Sequence, residues 1–256
     1  MTVKSSYAPG QFCWADLTTT DPAAAKAFYT ALFGWTAEDM PLPGGAYTMF
    51  RKREHDVAGL GGQPPEEQSR GIPPHWNIYV SVADADAVAA KAAELGGNIL
   101  APAFEVMESG RMAIVADPTG AVFFLWQPKK HIGATLWGEP GAPSWFELQT
   151  TDPEKAKAFY TALFGWSTGG DATYTEWIVG GEHVGGMLKI DPSWGPVPSN
   201  WGAYFTVESA DDTVAKAREL GAKVYVAPKE IGGGGRFAVL ADPQGAMFSV
   251  YEEKRR

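Results

Sequence analysis

The chain has 256 residues, room for roughly two domains of about 130 residues each. Its apolar fraction of 45% and charged fraction of 20% are ordinary for a soluble globular protein, and a formal charge of −9 argues against a phosphate-binding surface, so no nucleic-acid partner is expected. No apolar run approaches the roughly 20 residues of a membrane helix, Met1–Gly10 lacks the apolar core of a signal peptide, and the single Cys13 excludes an internal disulfide. These features together predict a cytoplasmic protein with no membrane partner.

Gln11–Leu17 reads as a strand, with Cys13 a small core residue in it. A helix follows. Asp21 is its cap, Pro22 fits the first turn, and Gly34 stops it. Ala25, Phe28, Tyr29 and Leu32 fall on one apolar face. Trp35–Met40 is a further strand and Pro41–Gly45 a turn cluster. Tyr47–Lys52 and Val57–Leu60 form a hairpin around Glu54-His55-Asp56. After the polar stretch Gln63–Pro74 the pattern restarts. His75–Val82 is a strand, Asp84–Leu95 a helix, and Asn98–Ala101, Arg111–Ala116 and Ala121–Gln127 are strands. Lys129–Pro143 carries no clear period and is read as the linker.

The second half repeats this scheme. Thr19–Trp35 and Thr150–Trp166 differ only at Ala23/Glu154 and Ala24/Lys155. Trp145–Gln149 is its first strand, Pro153–Phe164 the helix, and Tyr174–Val179 with Val184–Leu188 the hairpin. Trp201–Val207, a helix to about Leu220, Phe237–Leu240 and Ala246–Tyr251 complete it. Asp117-Pro118-Thr119-Gly120 and Asp242-Pro243-Gln244-Gly245 are matched turns. The Gly232–Gly235 run precedes a strand, not a helix, so it reads as a mobile turn rather than a phosphate cradle. A copied unit of this size means two homologous domains, not a solenoid. They are placed at 8–129 and 144–253, with a linker at 130–143.

A first strand, then D-P-x-x-A-x-x-F-Y-x-x-x-F-G-W, then a unit ending in D-P-x-G-x-x-F, resembles the vicinal oxygen chelate superfamily. That group includes glyoxalase I, extradiol dioxygenases and bleomycin-resistance proteins. The resemblance covers both halves and extends to tandem two-domain actinobacterial proteins of glyoxalase-like or "hydroxylase" type. It implies an α+β fold in which four βαβββ modules form two cup-shaped mixed-sheet domains, a pseudo-dimer in one chain.

Metal-using members of the superfamily place His or Glu at four strand positions aimed into the cup. Carried over, these positions hold Trp14, Gly59, Asn77 and Phe124 in the first copy, and Trp145, Gly186, Gly202 and Ser249 in the second. Asn77 alone is a weak ligand, so no metal and no other cofactor is expected. The histidines offer no rescue. His55 and His183 sit in equivalent hairpin turns, His75 begins a strand, and His131 lies in the linker.

Alternation along strands puts Asp16 on the face of Trp14 and Glu147 on that of Trp145. Tyr79 joins Asn77, Tyr204 joins Gly202, Trp126 joins Phe124, and Tyr251 joins Ser249. The cups are then lined by aromatics plus one carboxylate each, which suits a small aromatic or apolar organic molecule. The same aromatics would equally serve as barrel core. Asp16 and Glu147 are the candidate catalytic groups, as a general base or as anchors for a polar ligand. Ion pairing with Arg111 and Arg236 is the alternative. The leading reading is a metal-independent binding protein acting as monomer or homodimer. An enzyme of the superfamily is the second reading, by carboxylate acid–base chemistry or with a misaligned metal site. A structural or regulatory protein with filled cups is the third.

Overall fold

The computed structural model describes residues 2–42, 44–232 and 234–254; Gly233, within the glycine run read as a mobile turn, lies outside them, as do Arg255 and Arg256 of the basic tail. The first half contains β1 (Thr2–Val3), β2 (Phe12–Thr19), α1 (Pro22–Phe33), β3 (Thr36–Leu42), β4 (Gly45–Lys52), β5 (His55–Gly62), α2 (Pro65–Ser69), β6 (His75–Ser81), α3 (Ala85–Glu94), β7 (Asn98–Val106), β8 (Gly110–Ala116) and β9 (Val122–Pro128). Then come β10 (Leu136–Trp137), β11 (Pro143–Thr150), α4 (Pro153–Phe164), β12 (Ser167–Gly170), β13 (Tyr174–Val179), β14 (Glu182–Lys189), β15 (Asn200–Val207), α5 (Ala210–Glu219), β16 (Lys223–Glu230), β17 (Arg236–Ala241) and β18 (Met247–Glu252).

Each half folds one 8-stranded mixed sheet, in the orders β3-β4-β5-β2-β6-β9-β8-β7 and β12-β13-β14-β11-β15-β18-β17-β16. The two βαβββ modules of a half meet at their first strands. β2 runs antiparallel to β6 and parallel to β5, and β11 treats β15 and β14 in the same way. Both modules of a cup therefore lie within one half. The linker is not featureless: its β10 pairs with β1 near the N-terminus.

Helices α1 and α4 are fixed by their ends. Asp21 Oδ1 accepts from the Ala24 amide at 3.0 Å and Asp152 Oδ1 from that of Lys155 at 3.1 Å. Gly34 and Gly165 leave each helix at φ of 67° and 73°, left-handed values that favour glycine. The apolar face of α1 is buried, and much of what covers it belongs to the other half. Tyr29 and Phe33 pack on Phe248 and Phe205 with ring centroids 5.5 and 5.3 Å apart. Reciprocally, Tyr160 of α4 packs on Phe123 at 5.5 Å. Phe12 of β2 meets Phe146, Trp166 and Trp201 across the junction. One large core thus joins the concatenated halves. Among the described residues no helix is long and apolar enough to cross a membrane.

Candidate functional site

The central strands have two faces with different duties. Ala15 and Leu17 of β2 face the interdomain core, while Trp14 joins Tyr79, Phe124 and Trp126 in a separate cluster on the other side. Asp16 shares that second face and is only 7% exposed. It stands in register with Gly59 on β5 and Asn77 on β6. Asn77 Nδ2 donates to Asp16 Oδ1 at 2.9 Å and to Thr18 Oγ1 at 2.8 Å. Tyr79 and Tyr47 both donate to Asp16 Oδ2, at 2.8 and 3.0 Å. Trp14 Nε1 in turn donates to Tyr47 Oη at 2.9 Å. The indole can only donate, so the Tyr47 proton is committed to the carboxylate.

The second half repeats this circuit. Tyr204 donates to Glu147 Oε1 and Tyr174 to Glu147 Oε2, both at 2.8 Å. Trp145 Nε1 donates to Tyr174 Oη at 2.9 Å. Glu147 stands in register with Gly186 and Gly202, and Tyr204 with Ser249.

The structure brings Asp16, Trp14, Asn77, Tyr79, Phe124 and Trp126 together in the first cup. Phe124 packs on Tyr79 with centroids 4.7 Å apart. It brings Glu147, Trp145, Tyr204 and Ser249 together in the second, with Tyr251 against Gly235 and opposite Phe237 at its edge. Sequence reasoning missed Tyr47 and Tyr174, although they recur at matched hairpin positions. It read Gly59 and Gly186 only as lost ligand positions. A Cβ at either would stand 1.9 Å from the hydroxyl of Tyr47 or Tyr174, so these glycines make room for the phenols. It also left His131 in the linker. The imidazole packs edge-on against Trp14 at 4.6 Å, with Trp126 Nε1 donating to its carbonyl at 2.9 Å, and burial pushes its pKa down. His55, read as part of the hairpin turn, is the first residue of β5. It is half-buried, with Nδ1 3.4 Å from Thr135 Oγ1.

The alternative of ion pairs to the buried carboxylates is corrected. Arg111 binds Asp86 and Glu105, and Arg236 binds Asp211. Those acids are exposed at the protein surface, so neither arginine is drawn under the sheet. Among the described residues no lysine or arginine pairs with Asp16 or Glu147; only His75 acts on Asp16 from nearby. Burial raises both pKa values, opposed by the hydrogen bonds from Asn77, Tyr79 and Tyr47 and the nearby His75 at Asp16, and by those from Tyr204 and Tyr174 at Glu147. Tyr47, Tyr79 and Tyr204 are held well above their ordinary pKa by burial and the adjacent carboxylate, so they remain donors.

A divalent ion does not fit this donor set. The rows across the cups offer one carboxylate each, already engaged by phenols, beside Trp, Gly and Phe or Ser. Among the described residues no three His, Cys, Asp or Glu cluster as ligands. Cavities of about 680 and 320 Å³ sit elsewhere, beside α1 and α5 and beside α4, and include none of the cup residues.

Comparison with known proteins places these features. The family described as "Glyoxalase/Bleomycin resistance protein/Dioxygenase superfamily" matches residues 11–125 and 142–250. The chain is 44% identical over 257 residues to "Putative glyoxylase CFP32" of Mycobacterium tuberculosis, covering 98% of this chain and 97% of that protein. It is 37% identical over 261 residues to "Anthracycline biosynthesis protein DauV" of Streptomyces sp. strain C5, covering 96% and 94%. Among solved structures, the Mn(II)-bound glyoxalase from Novosphingobium aromaticivorans aligns with a TM-score of 0.67 at 15% identity, over 96% of this chain and 83% of that one. An extradiol ring-cleaving dioxygenase from B. fuscum aligns with a TM-score of 0.68 at 15% identity, over 99% and 75%. The sheet order, the duplicated modules and these matches agree: the chain belongs to the glyoxalase/bleomycin resistance protein/dioxygenase superfamily.

Proposed function

We propose that this protein binds a small, aromatic or apolar organic molecule in its cups without a metal ion. The observation that carries the reading is the Trp–Tyr–carboxylate circuit, which occurs in both halves where metal-using relatives would need several ligands. Trp14, Asn77, Tyr79, Phe124 and Trp126 are the proposed lining of one cup, and Trp145, Tyr204, Ser249 and Tyr251 that of the other. Aromatic walls supply contact area and the single carboxylate orients the ligand. The test is elemental analysis of protein incubated with nickel, zinc, iron or manganese, followed by titration with aromatic compounds. Metal far below stoichiometry, with quenching of cup tryptophan fluorescence, is the expected outcome. One tightly held ion per cup would overturn the reading.

A second reading, an enzyme using Asp16 or Glu147 in acid–base chemistry, is favoured by one observation. Both carboxyls are buried without a lysine or arginine partner among the described residues and have raised pKa values, the condition in which a carboxyl exchanges protons nearer neutrality. Under it, Glu147→Gln abolishes turnover while leaving fold and ligand affinity nearly intact. Under the binding reading, the same change alters affinity.

A further inference from the structure

The first cup shows what the second one lacks. At equivalent positions the second cup has Gly202 in place of Asn77 and Ser249 in place of Phe124, while the groups they touch are kept: Asp16 is matched by Glu147, and Tyr79 by Tyr204. In the first cup the Asn77 amide donates to the carboxylate and the Phe124 ring lies on the Tyr79 ring. In the second cup neither group is present. A Cβ built on Gly202 finds nothing nearer than a backbone oxygen at 3.8 Å, so the space beside Glu147 is open. Glu147 receives two phenol donors where Asp16 receives three donors in all.

The two cups also differ in closure. Trp14, Met49, Tyr79, Phe124, Trp126 and Ala134 make a continuous buried cluster in the first, with His131 against Trp14. Among the described residues the second cup forms no such cluster. Trp145 and Tyr251 are partly exposed where Trp14 and Trp126 are buried, and Glu176 stands where Met49 would be.

We propose that the second cup is the working one, and that it takes a planar aromatic ring bearing a hydrogen-bond donor, a phenolic hydroxyl or a ring amine. The ring occupies the place of Phe124 against Tyr204, and its donor occupies the place of the Asn77 amide against Glu147. The first cup is filled by its own side chains and binds nothing. This inference rests on the small-molecule reading above and narrows it to one cup and one ligand class. A ring lying on tyrosine gains from offset stacking as well as from burial. The donor satisfies a carboxylate that is otherwise short of partners in a low-dielectric site.

The experiment is calorimetric titration of the full chain with α-naphthol, α-naphthylamine and α-methoxynaphthalene. The expected result is one equivalent bound per chain, with the methoxy compound about tenfold weaker because it has no donor for Glu147. Preference between the hydroxyl and the amine identifies which donor the site takes. Ser249→Phe and Gly202→Asn import the plugs of the first cup, and each should weaken binding about tenfold or more. Asn77→Gly with Phe124→Ser removes those plugs and should add a second equivalent, a gain that a misfolded variant cannot give. Binding by the wild type that survives both Ser249→Phe and Gly202→Asn would overturn the assignment to the second cup while leaving the small-molecule reading intact. Equal affinity for the methoxy compound would overturn the donor requirement. No binding of any of the three by the wild type would remove both the reading and the inference.

Discussion

Tyr47 and Tyr174 reach their carboxylates only because the neighbouring strand presents no side chain at Gly59 and Gly186. An alanine Cβ at Gly59 would lie 1.9 Å from Tyr47 Oη and 3.0 Å from Asp16 Cβ, so the phenol must leave. Its departure also strips Trp14 Nε1 of its acceptor inside a packed cluster. Gly59→Ala is expected to cost about 1–3 kcal/mol in chemical denaturation. Gly186→Ala should cost less, since Trp145, unlike the buried Trp14, is partly exposed and its freed Nε1 can reach water. Equal costs would contradict the difference in closure. Titration gives an independent check on Glu147. Burial raises its folded pKa above the unfolded value of about 4.3. Between those two values the folded chain holds the extra proton, so stability declines as pH rises through the window and levels off above the folded pKa. Glu147→Gln should flatten that part of the melting-temperature profile; an unchanged slope would place the proton elsewhere. The two carboxylates were legible in the sequence from strand alternation alone. The tyrosines were not, because their contact runs diagonally across a hairpin whose register no local pattern states.

Helices α1 and α4 show the limit of amphipathic reading at the next scale. The cap, the proline, the terminal glycine and the apolar face are all written in the two copies of the D-P-x-x-A-x-x-F-Y stretch. What covers that face is not written there. Tyr29 Oη donates to Asp242 Oδ2 at 3.1 Å, and Tyr160 Oη to Asp117 Oδ2 at 3.0 Å, each reaching the D-P turn of the opposite half. Trp76 and Trp201 supply the matching donors to those hydroxyls at 3.2 and 2.9 Å. The D-P-x-G turns, read from sequence as simple chain reversals, therefore also hold the two halves together. Tyr29→Phe keeps the ring contacts and removes the hydroxyl. It leaves a buried indole N–H without an acceptor and Asp242 with one donor fewer, at an expected cost of about 1–3 kcal/mol. Tyr160→Phe should match it. Combining the two tests whether the junction is one cooperative unit, since additive losses are expected only of independent sites.

On the scale of the whole molecule, the duplication has an interface with the geometry of a twofold dimer. The contact from Tyr29 to Asp242 is the image of that from Tyr160 to Asp117, and the pairing of Phe248 with Tyr29 is the image of Phe123 with Tyr160. Trp35 Nε1 donates to the Gly141 carbonyl at 2.6 Å, and Trp166 Nε1 to that of Gly10 at 2.8 Å. Each half thus carries both sides of the contact, the tyrosine helix and the aspartate turn. Such a surface is self-complementary, the requirement for an isologous pair. A segment spanning 144–253 alone would expose Phe146, Tyr160, Trp166, Trp201 and Phe248, which are fully or almost fully buried in the intact chain. An apolar face of that kind is not tolerated as free surface. The isolated segment should therefore pair with a second copy, Tyr160 of each reaching Asp242 of the other, and run at twice its monomer mass in sedimentation. Tyr160→Phe within the segment should shift the pair toward monomer or aggregate. A folded, monodisperse monomer would mean that the sheet of one half stabilises itself without the exchanged helix contacts, and the interdomain core would then be a consequence of linkage in one chain rather than a condition for folding.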